Sequence, residues 1–188
     1  MNIMVDVDDT LTNFVEERNN LIKKYLKDNH LPYKILDMNC TKSAKVANWT
    51  LEECCKFWKE IGTTAQLNSP CQKESPEIVQ TLKKMGHKIF IVTARPDRYY
   101  EAEKYTKLWL EKNNIPFDKI ITNSPDKKQA MIDLQIDLVI DDSIQTITYA
   151  SELGIKSIIY STKENENFSP PERSTRVSSW SEILKLLS

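Results

Sequence analysis

Three carboxylates lie within four residues, Asp6, Asp8 and Asp9, directly after the apolar run Ile3-Met4-Val5. Like charges a few ångströms apart oppose one another's ionisation by about one pKa unit or more unless a cation lies among them. The cluster therefore invites a divalent metal. Hard oxygen donors favour Mg²⁺, which takes one or two carboxylates directly and keeps positions for water and phosphate oxygens. In extended chain, residues two apart share a face, which puts Asp6 and Asp8 on one side and turns Asp9 away. Two carboxylates aimed at one point could serve as nucleophile and as acid/base. The competing reading is an acidic turn in which Asp9 or Thr10 caps the next helix.

Three further polar groups follow apolar runs in the same way. Thr93-Ala94-Arg95 comes after Lys88-Ile89-Phe90-Ile91-Val92, Lys127 and Lys128 come after Ile120-Ile121-Thr122, and Asp141-Asp142 comes after Leu138-Val139-Ile140. Each has a plainer reading. Thr93 could be an ordinary N-cap, and either lysine a solvated surface group. Asp141-Asp142 could cap the following helix, although Ser143 already serves there. A cation near a helix N-terminus opposes the dipole, which makes a lysine at 127 or 128 mildly unexpected for a purely structural role.

The elements that must position these residues alternate. Apolar runs predict strands at the N-terminus, at Lys88–Thr93, Lys119–Thr122, Asp137–Ile140 and Lys156–Tyr160. Helical spacing of Phe14, Arg18, Leu21, Ile22 and Tyr25 predicts a helix from about Asn13 to Asp28. A capping box, Thr50-x-x-Glu53, opens another whose inner face is Leu51, Cys54, Cys55 and Trp58, with Gly62 suited to its end. Ser75 with Pro76 reads as the N-cap and first turn of a third, with Ile78, Val79, Leu82 and Met85 inward and Gly86 closing it. A fourth has Ala102, Tyr105, Leu108 and Trp109 inward. Helices over 127–135, 143–153 and 181–187 follow, the last after a polar loop containing Pro170-Pro171. Residues 30–45 read as loop or short turns, and Asn68-Ser69-Pro70 as a break. Such β-α alternation implies a Rossmann-like, doubly wound α/β fold with right-handed crossovers and helices on both faces of a parallel sheet. Ligands bind such sheets beyond the carboxyl ends of the strands, where all four polar groups fall.

Composition narrows the partners. A chain of 188 residues with net charge −1 suits one domain, with room for an insertion. The even charge argues against a general binder of nucleic acid polymers or membrane surfaces. The N-terminus lacks a cationic and long apolar leader, and no run approaches the roughly 20 apolar residues that span a bilayer; a cytoplasmic protein is expected. Cys40, Cys54, Cys55 and Cys71 form no C-x-x-C pair, and with His30 and His87 alone beside them they read as reduced, packed thiols rather than a zinc site.

Taken together and in this order, Asp6-Val7-Asp8-Asp9-Thr10, Thr93, Lys127 and Asp141-Asp142 resemble the four motifs of the haloacid dehalogenase superfamily of phosphotransferases. That resemblance implies Mg²⁺-dependent phosphomonoester hydrolysis through an aspartyl-phosphate. Asp6 would be the nucleophile and Asp8 the acid, then the base. Thr93 and the Ala94 amide would hold phosphate oxygens, Lys127 would neutralise the phosphoryl group, and Asp141 or Asp142 would join Asp6 and the Asp8 carbonyl around the metal. Lys127 is preferred to Lys128 because its separation from the acidic pair is similar to that in related nucleotidases. Arg95 would contact phosphate or pair with a carboxylate of the insertion. Within the superfamily the chain looks most like the 5'(3')-deoxyribonucleotidase family, from D-V-D-D-T-L near the start, Thr93-Ala94-Arg95-Pro96, and Ile140-Asp141-Asp142-Ser143.

The same resemblance divides the chain into a Rossmann-like catalytic core, residues 1–12 and 76–188, and a helical cap, residues 13–75. Caps close over such sites, exclude water and read the leaving group. Phe14, Trp49, Phe57 and Trp58 could stack on a base; Trp58 and Trp49 fit a core stripe and a hydrophobic staple, so Phe14 is the preferred pocket residue. The expected partner is a small phosphorylated substrate, a nucleotide first, and a homodimer is left open. A sugar phosphate or other small metabolite is the nearest rival substrate. Rivals of another class are a receiver-like signalling domain, which would lack the insertion and carry its acceptor Asp mid-chain, and a catalytically dead nucleotide sensor, against which every motif residue is present.

Overall fold

The computed structural model describes residues 1–31, 47–97 and 101–188; the loop expected at 30–45 lies almost wholly outside them. Its elements in chain order are β1 (Asn2–Val5), α1 (Phe14–Asp28), α2 (Leu51–Asn68), α3 (Ser75–Lys84), β2 (Lys88–Val92), α4 (Ala102–Lys112), β3 (Lys119–Ile121), α5 (Lys128–Asp133), β4 (Leu138–Asp141), α6 (Ile144–Glu152), β5 (Lys156–Tyr160), β6 (Ser174–Val177) and α7 (Trp180–Leu187). The expected doubly wound architecture is present. Six strands form one sheet in the order β3-β2-β1-β4-β5-β6, every neighbouring pair parallel.

Alternation within the strands divides the core between two faces. Ile3, Val5, Ile89, Ile91, Leu138, Ile140 and Ile158 pack with Ile78, Val79 and Leu82 of α3, Trp109 and Leu110 of α4, and Trp180 and Ile183 of α7. Met4, Val92, Val139 and Ile159 face the other way, onto Ala130 and Met131 of α5 and Ile147 and Ala150 of α6. Both faces are covered, so the runs Ile3-Met4-Val5, Ile89 to Val92 and Leu138-Val139-Ile140 inside the central strands are apolar at every position. The chain leaves β1 toward β2 on one side and reaches β4 on the other, and β1 pairs with β4 at Val5–Ile140. That switch point opens the crevice used by ligands in such sheets, with Asp6 and Asp141 on adjacent strand ends.

Helices α1 and α2 sit in the insertion between β1 and β2 and share a small core of their own, Ile22, Tyr25, Leu26, Ala47 and Phe57, joined by Trp49, Trp58 and Ile61. The insertion leaves and returns through a narrow neck. Thr12 and Cys71 form an isolated antiparallel bridge, the Asn13 amide donates to the Pro70 carbonyl at 2.9 Å, and the Gln72 amide donates to that of Leu11 at 2.8 Å.

Several local expectations change. The capping box at Thr50 and Glu53 forms, but α2 runs through Gly62 to Asn68, because Gly62, Ala65 and Gln66 are buried, a tertiary gain that outweighs the roughly 1 kcal/mol cost of a helical glycine. Ser75 is no cap. Its hydroxyl donates to the Leu11 carbonyl at 3.1 Å, tying α3 to the acidic loop, while Glu74 precedes the helix in the left-handed region at φ 67°. Met85 is 44% exposed, since it lies past the last turn, and Leu108 is 43% exposed; Thr106 and Leu110 take the inward positions on α4 instead. Strand β6 was unexpected. It is an edge strand whose Ser174, Thr175 and Arg176 are not buried, so it lacks the apolar signature. Among the described residues Cys54, Cys55 and Cys71 form no disulfide, and burial pushes the Cys71 thiol up to about 11. Among the described residues no helix is long and apolar enough to cross a membrane.

Candidate active site

The acidic loop after β1 is built from within. The Leu11 and Thr12 amides both donate to the Val7 carbonyl, at 2.9 and 3.0 Å, and the Trp180 indole donates to the Thr10 carbonyl at 2.9 Å. Asp9 takes φ 59°, a region that Asp tolerates better than most residues. This turn sends the three carboxylates to three different places.

Asp6 points into the crevice. Its carboxylate accepts from Lys127 Nζ at 2.5 Å, and the same ammonium donates to Asp141 Oδ2 at 2.7 Å. Lys127 is only 4% exposed, whereas Lys128 is turned outward onto Glu152. Burial alone would lower the Lys127 ammonium, but Asp141 and Asp6 outweigh it and hold the group above the usual lysine range. Asp6 itself is pushed up to about 7, first by burial and then by Asp141 and Asp8, against the pull of Lys127.

Asp8 is held by a different cation, Arg95. Arg95 Nε lies 3.1 Å from both of its carboxylate oxygens and Nη2 lies 2.5 Å from Oδ1. Arg95 is 2% exposed and also donates to Thr106 Oγ1 on α4 at 3.2 Å. Among the described residues, the carboxylate that Arg95 pairs with is Asp8 of the core. Asp9 does cap a helix: its Oδ1 accepts from the Val15 amide at 2.9 Å, and burial raises it to about 6 despite that bond. The two readings of the acidic run therefore divide among its members.

Carboxylate oxygens of Asp6, Asp141 and Asp142 all lie within 4.8 Å of one another. Asp141 Oδ1 accepts from the Ser143 amide at 2.8 Å and Asp142 Oδ1 from the Thr10 hydroxyl at 3.3 Å. Burial, then Asp141 and Asp6, push Asp142 well above the usual carboxylate range. Ser143 caps α6, accepting from Thr146 N, so the acidic pair is left for other work. Thr93 is buried at the end of β2, where its hydroxyl accepts from the Arg95 amide at 3.4 Å. No helix begins there, and α4 starts only at Ala102.

These groups line one cavity of about 810 Å³. Asp6, Asp8, Thr93, Ala94, Arg95, Lys127, Asp141 and Asp142 form its floor, and Phe14, Val15, Arg18, Leu51, Cys54 and Trp58 form a wall from the insertion. Phe14 and Trp58 stack with ring centroids 6.0 Å apart and planes at 15°. Trp58 packs against the insertion's core, as expected, and also lines the wall; Phe57 is fully inside that core and Trp49 joins it alongside Trp58. Sequence reasoning also missed Asn165, which is buried in the loop after β5 and lines the cavity beside Glu164. Nothing in a polar loop marks one asparagine among several. Arg18 was placed on the inner face of α1 but given no part in the site; it is buried and lines the wall.

Residues 1–188 match the family described as 5' nucleotidase, deoxy (pyrimidine), cytosolic type C protein. The chain belongs to this family. It is therefore a phosphoric monoester hydrolase of nucleotidase type. Among similar proteins, one from Halalkalibacterium halodurans that is provisionally named a nucleotidase is 29% identical over 152 residues, which are 79% of this chain and 73% of that one. A second, from Oceanobacillus iheyensis and named in the same way, is 22% identical over 96% of this chain and 95% of its own. Solved structures share the nucleotidase's fold. A haloacid dehalogenase-like hydrolase from Streptococcus pneumoniae superposes with TM-score 0.72 at 16% identity, covering 100% of this chain and 98% of that one. CbbY from Rhodobacter sphaeroides, solved with phosphate, gives 0.69 at 13% identity over 97% and 95%.

Proposed function

We propose that this nucleotidase hydrolyses nucleoside monophosphates, deoxyribonucleotides among them, through a phosphorylated Asp6 and with Mg²⁺. One observation carries the reading. The carboxylate at the end of the central strand meets a buried lysine and two further carboxylates on one side, and the cavity above them is walled by a stacked aromatic pair.

The residues fit the metal. Three carboxylate oxygens within 4.8 Å, two of them on groups pushed toward protonation, form a site that a divalent cation relieves. Asp6, Asp142 and the Asp8 carbonyl would hold it, with Asp141 kept beside them by Lys127. When bound, Mg²⁺ supplies positive charge to the phosphoryl oxygens and lowers the repulsion felt by an anionic Asp6.

In the first displacement an Asp6 oxygen forms a bond to phosphorus, the bond from phosphorus to the ester oxygen breaks, and Asp8 gives that oxygen a proton. In the second, Asp8 takes a proton from water, the water oxygen bonds to phosphorus, and the bond to Asp6 breaks to release inorganic phosphate. Lys127, Thr93 and the Ala94 amide stabilise the equatorial oxygens, which is where phosphoryl transfer needs support. Residues 13–75 act as the cap, and their aromatic wall takes the base.

A panel of ribo- and deoxyribonucleoside 5'- and 3'-monophosphates, assayed beside ribose 5-phosphate with Mg²⁺ and with chelator, tests this. Stacking on a base contributes about 1–3 kcal/mol, so nucleotides should exceed ribose phosphate roughly tenfold or more in kcat/KM. A preference for the sugar phosphate would move the substrate class to small metabolites, and full activity in chelator would remove the metal.

A further inference from the structure

We infer that Asn165, anchored by Arg176 of β6, is a positioning residue for Asp142 and hence for the divalent cation; this rests on the metal reading above. All four hydrogen-bonding positions of the Asn165 amide are in use. Its Nδ2 donates to the Asp142 carbonyl and to the Tyr160 carbonyl, both at 2.8 Å. Its Oδ1 accepts from the Thr162 amide at 3.1 Å and from Arg176 Nη1 at 2.8 Å. The side chain is 1% exposed, so none of these bonds exchanges freely with water.

Arg176 fixes the loop that carries it. Beyond Asn165 Oδ1, its guanidinium donates to the Ser161 hydroxyl at 3.2 Å, to the Asn165 carbonyl at 2.9 Å and to the Phe168 carbonyl at 2.5 Å. Arg176 is itself registered against Ile159 in the sheet. The edge strand thus holds a loop, and the loop holds the end of β4.

The point held matters. The Asp142 carbonyl and the Ser143 amide belong to one planar peptide unit. Asn165 fixes its oxygen, and Asp141 Oδ1 accepts from its N–H at 2.8 Å. Were the plane to rotate, the Asp142 side chain would change direction and the Asp141 carboxylate, which holds Lys127, would lose its backbone donor. Thr10 grips the Asp142 side chain from the opposite direction. Mg²⁺ demands near-ideal octahedral geometry, and partners that orient metal ligands are typically worth 10- to 100-fold in affinity or activity.

The test reads metal binding without substrate. Thermal melts across a Mg²⁺ titration give a midpoint for wild type, Asn165→Leu, Arg176→Lys, Asp142→Asn and the Asn165→Leu/Asp142→Asn pair, and the KM for an aryl phosphate is measured at saturating Mg²⁺. The expected result is a midpoint raised 10- to 100-fold by Asn165→Leu and roughly 3- to 10-fold by Arg176→Lys, with KM within about threefold of wild type. The double variant should match Asp142→Asn alone, because two changes acting through one group do not add. Asn165→Leu and Arg176→Lys melting earlier in chelator with unmoved midpoints, while Asp142→Asn shifts its own, would make the network purely structural and overturn the inference with the metal reading intact. A double variant that adds would also overturn it. If Asp142→Asn leaves the midpoint unmoved, the metal reading itself falls. Should Asn165→Leu not fold, the Arg176→Lys midpoint decides in the same two directions.

Discussion

Arg95 grips Asp8 through two nitrogens, with Nε 3.1 Å from both carboxylate oxygens and Nη2 2.5 Å from Oδ1. The two carboxylates that alternate along the acidic run are therefore held by two different buried cations, Asp6 by Lys127 and Asp8 by Arg95. Each carboxylate thus has a cation of its own, and both pairs line the same cavity.

Arg95→Lys keeps the charge and loses the fork that meets the carboxylate through two nitrogens. If Asp8 is the acid/base, a carboxylate left to wander should lose part of the 10²- to 10⁴-fold that such a group contributes. The expected fall in kcat/KM for an aryl phosphate is roughly 10- to 100-fold. A variant as active as wild type would show that Asp8 needs no holding.

Asp6→Asn should abolish turnover by at least about 10³-fold and yet stabilise the metal-free protein at alkaline pH. The sign follows from the folded-state value of about 7 against an unfolded one near 4. As pH rises from about 4 to about 7 the unfolded chain releases this proton and the folded one keeps it, so wild-type stability falls across that window. Asparagine has no such loss. Melts in chelator should give no gain at pH 4 and a gain on the order of 1–4 kcal/mol, a few degrees or more, at pH 8. Excess Mg²⁺ should reverse the order by stabilising wild type. A variant less stable than wild type at pH 8 in chelator would contradict the burial argument.

Lys127→Met should do the opposite to stability. It leaves Asp6 and Asp141 buried without their shared cation, and breaking such a pair typically costs about 3–5 kcal/mol. The loss should be greatest above pH 7, where Asp6 is ionised, and smaller at pH 5, where Asp6 holds its proton. Wild-type Lys127 stays charged throughout this range, being held above the ordinary lysine value. Added Mg²⁺ should restore part of the fold but not turnover. Equal melting temperatures for variant and wild type at pH 8 would refute it.

Phe14→Ala and Trp58→Ala probe the aromatic wall. The rings already touch each other, so they offer one continuous surface rather than a slot. Either truncation should lower kcat/KM for nucleotides by about tenfold while leaving ribose 5-phosphate within about threefold, the result that the proposed stacking of the base on this wall requires. If both variants keep the nucleotide preference, some other part of the cavity reads the base.

The sheet was legible because its central strands contain unbroken apolar runs, Ile3-Met4-Val5, Ile89 to Val92 and Leu138-Val139-Ile140, the pattern of strands covered on both faces. The convergence of Asp6, Thr93, Lys127 and the acidic pair was legible for a related reason, since each directly follows or closely trails such a run. Strand β6 was not, because at an edge only Val177 needs to be buried. Gly62 misled because propensity is local while the burial of α2 is not. The fates of Asp8 and Asp9 were hidden in a turn whose left-handed residue ends the two-residue alternation assumed for extended chain. Asn165 and Arg176 were invisible for a deeper reason: their meaning lies entirely in what they bond to.

The narrow neck at Thr12 and Cys71 gives the fold a modular quality. A segment whose two ends are clamped side by side acts on the rest of the chain as a closed loop, and doubling a flexible loop's length costs only about 0.6 kcal/mol in closure entropy. The stretch between can be exchanged, with the turn carrying Asp6 and Asp8 held by Val7, Ser75 and Trp180. The replacement must keep an amide on Asp9, as Val15 does, and a seat on α4, where the Trp109 indole donates to the Ser69 carbonyl. Selectivity and chemistry are thereby free to diverge: grafting a foreign insertion between Thr12 and Cys71 should yield chimaeras that dephosphorylate new compounds with the old machinery.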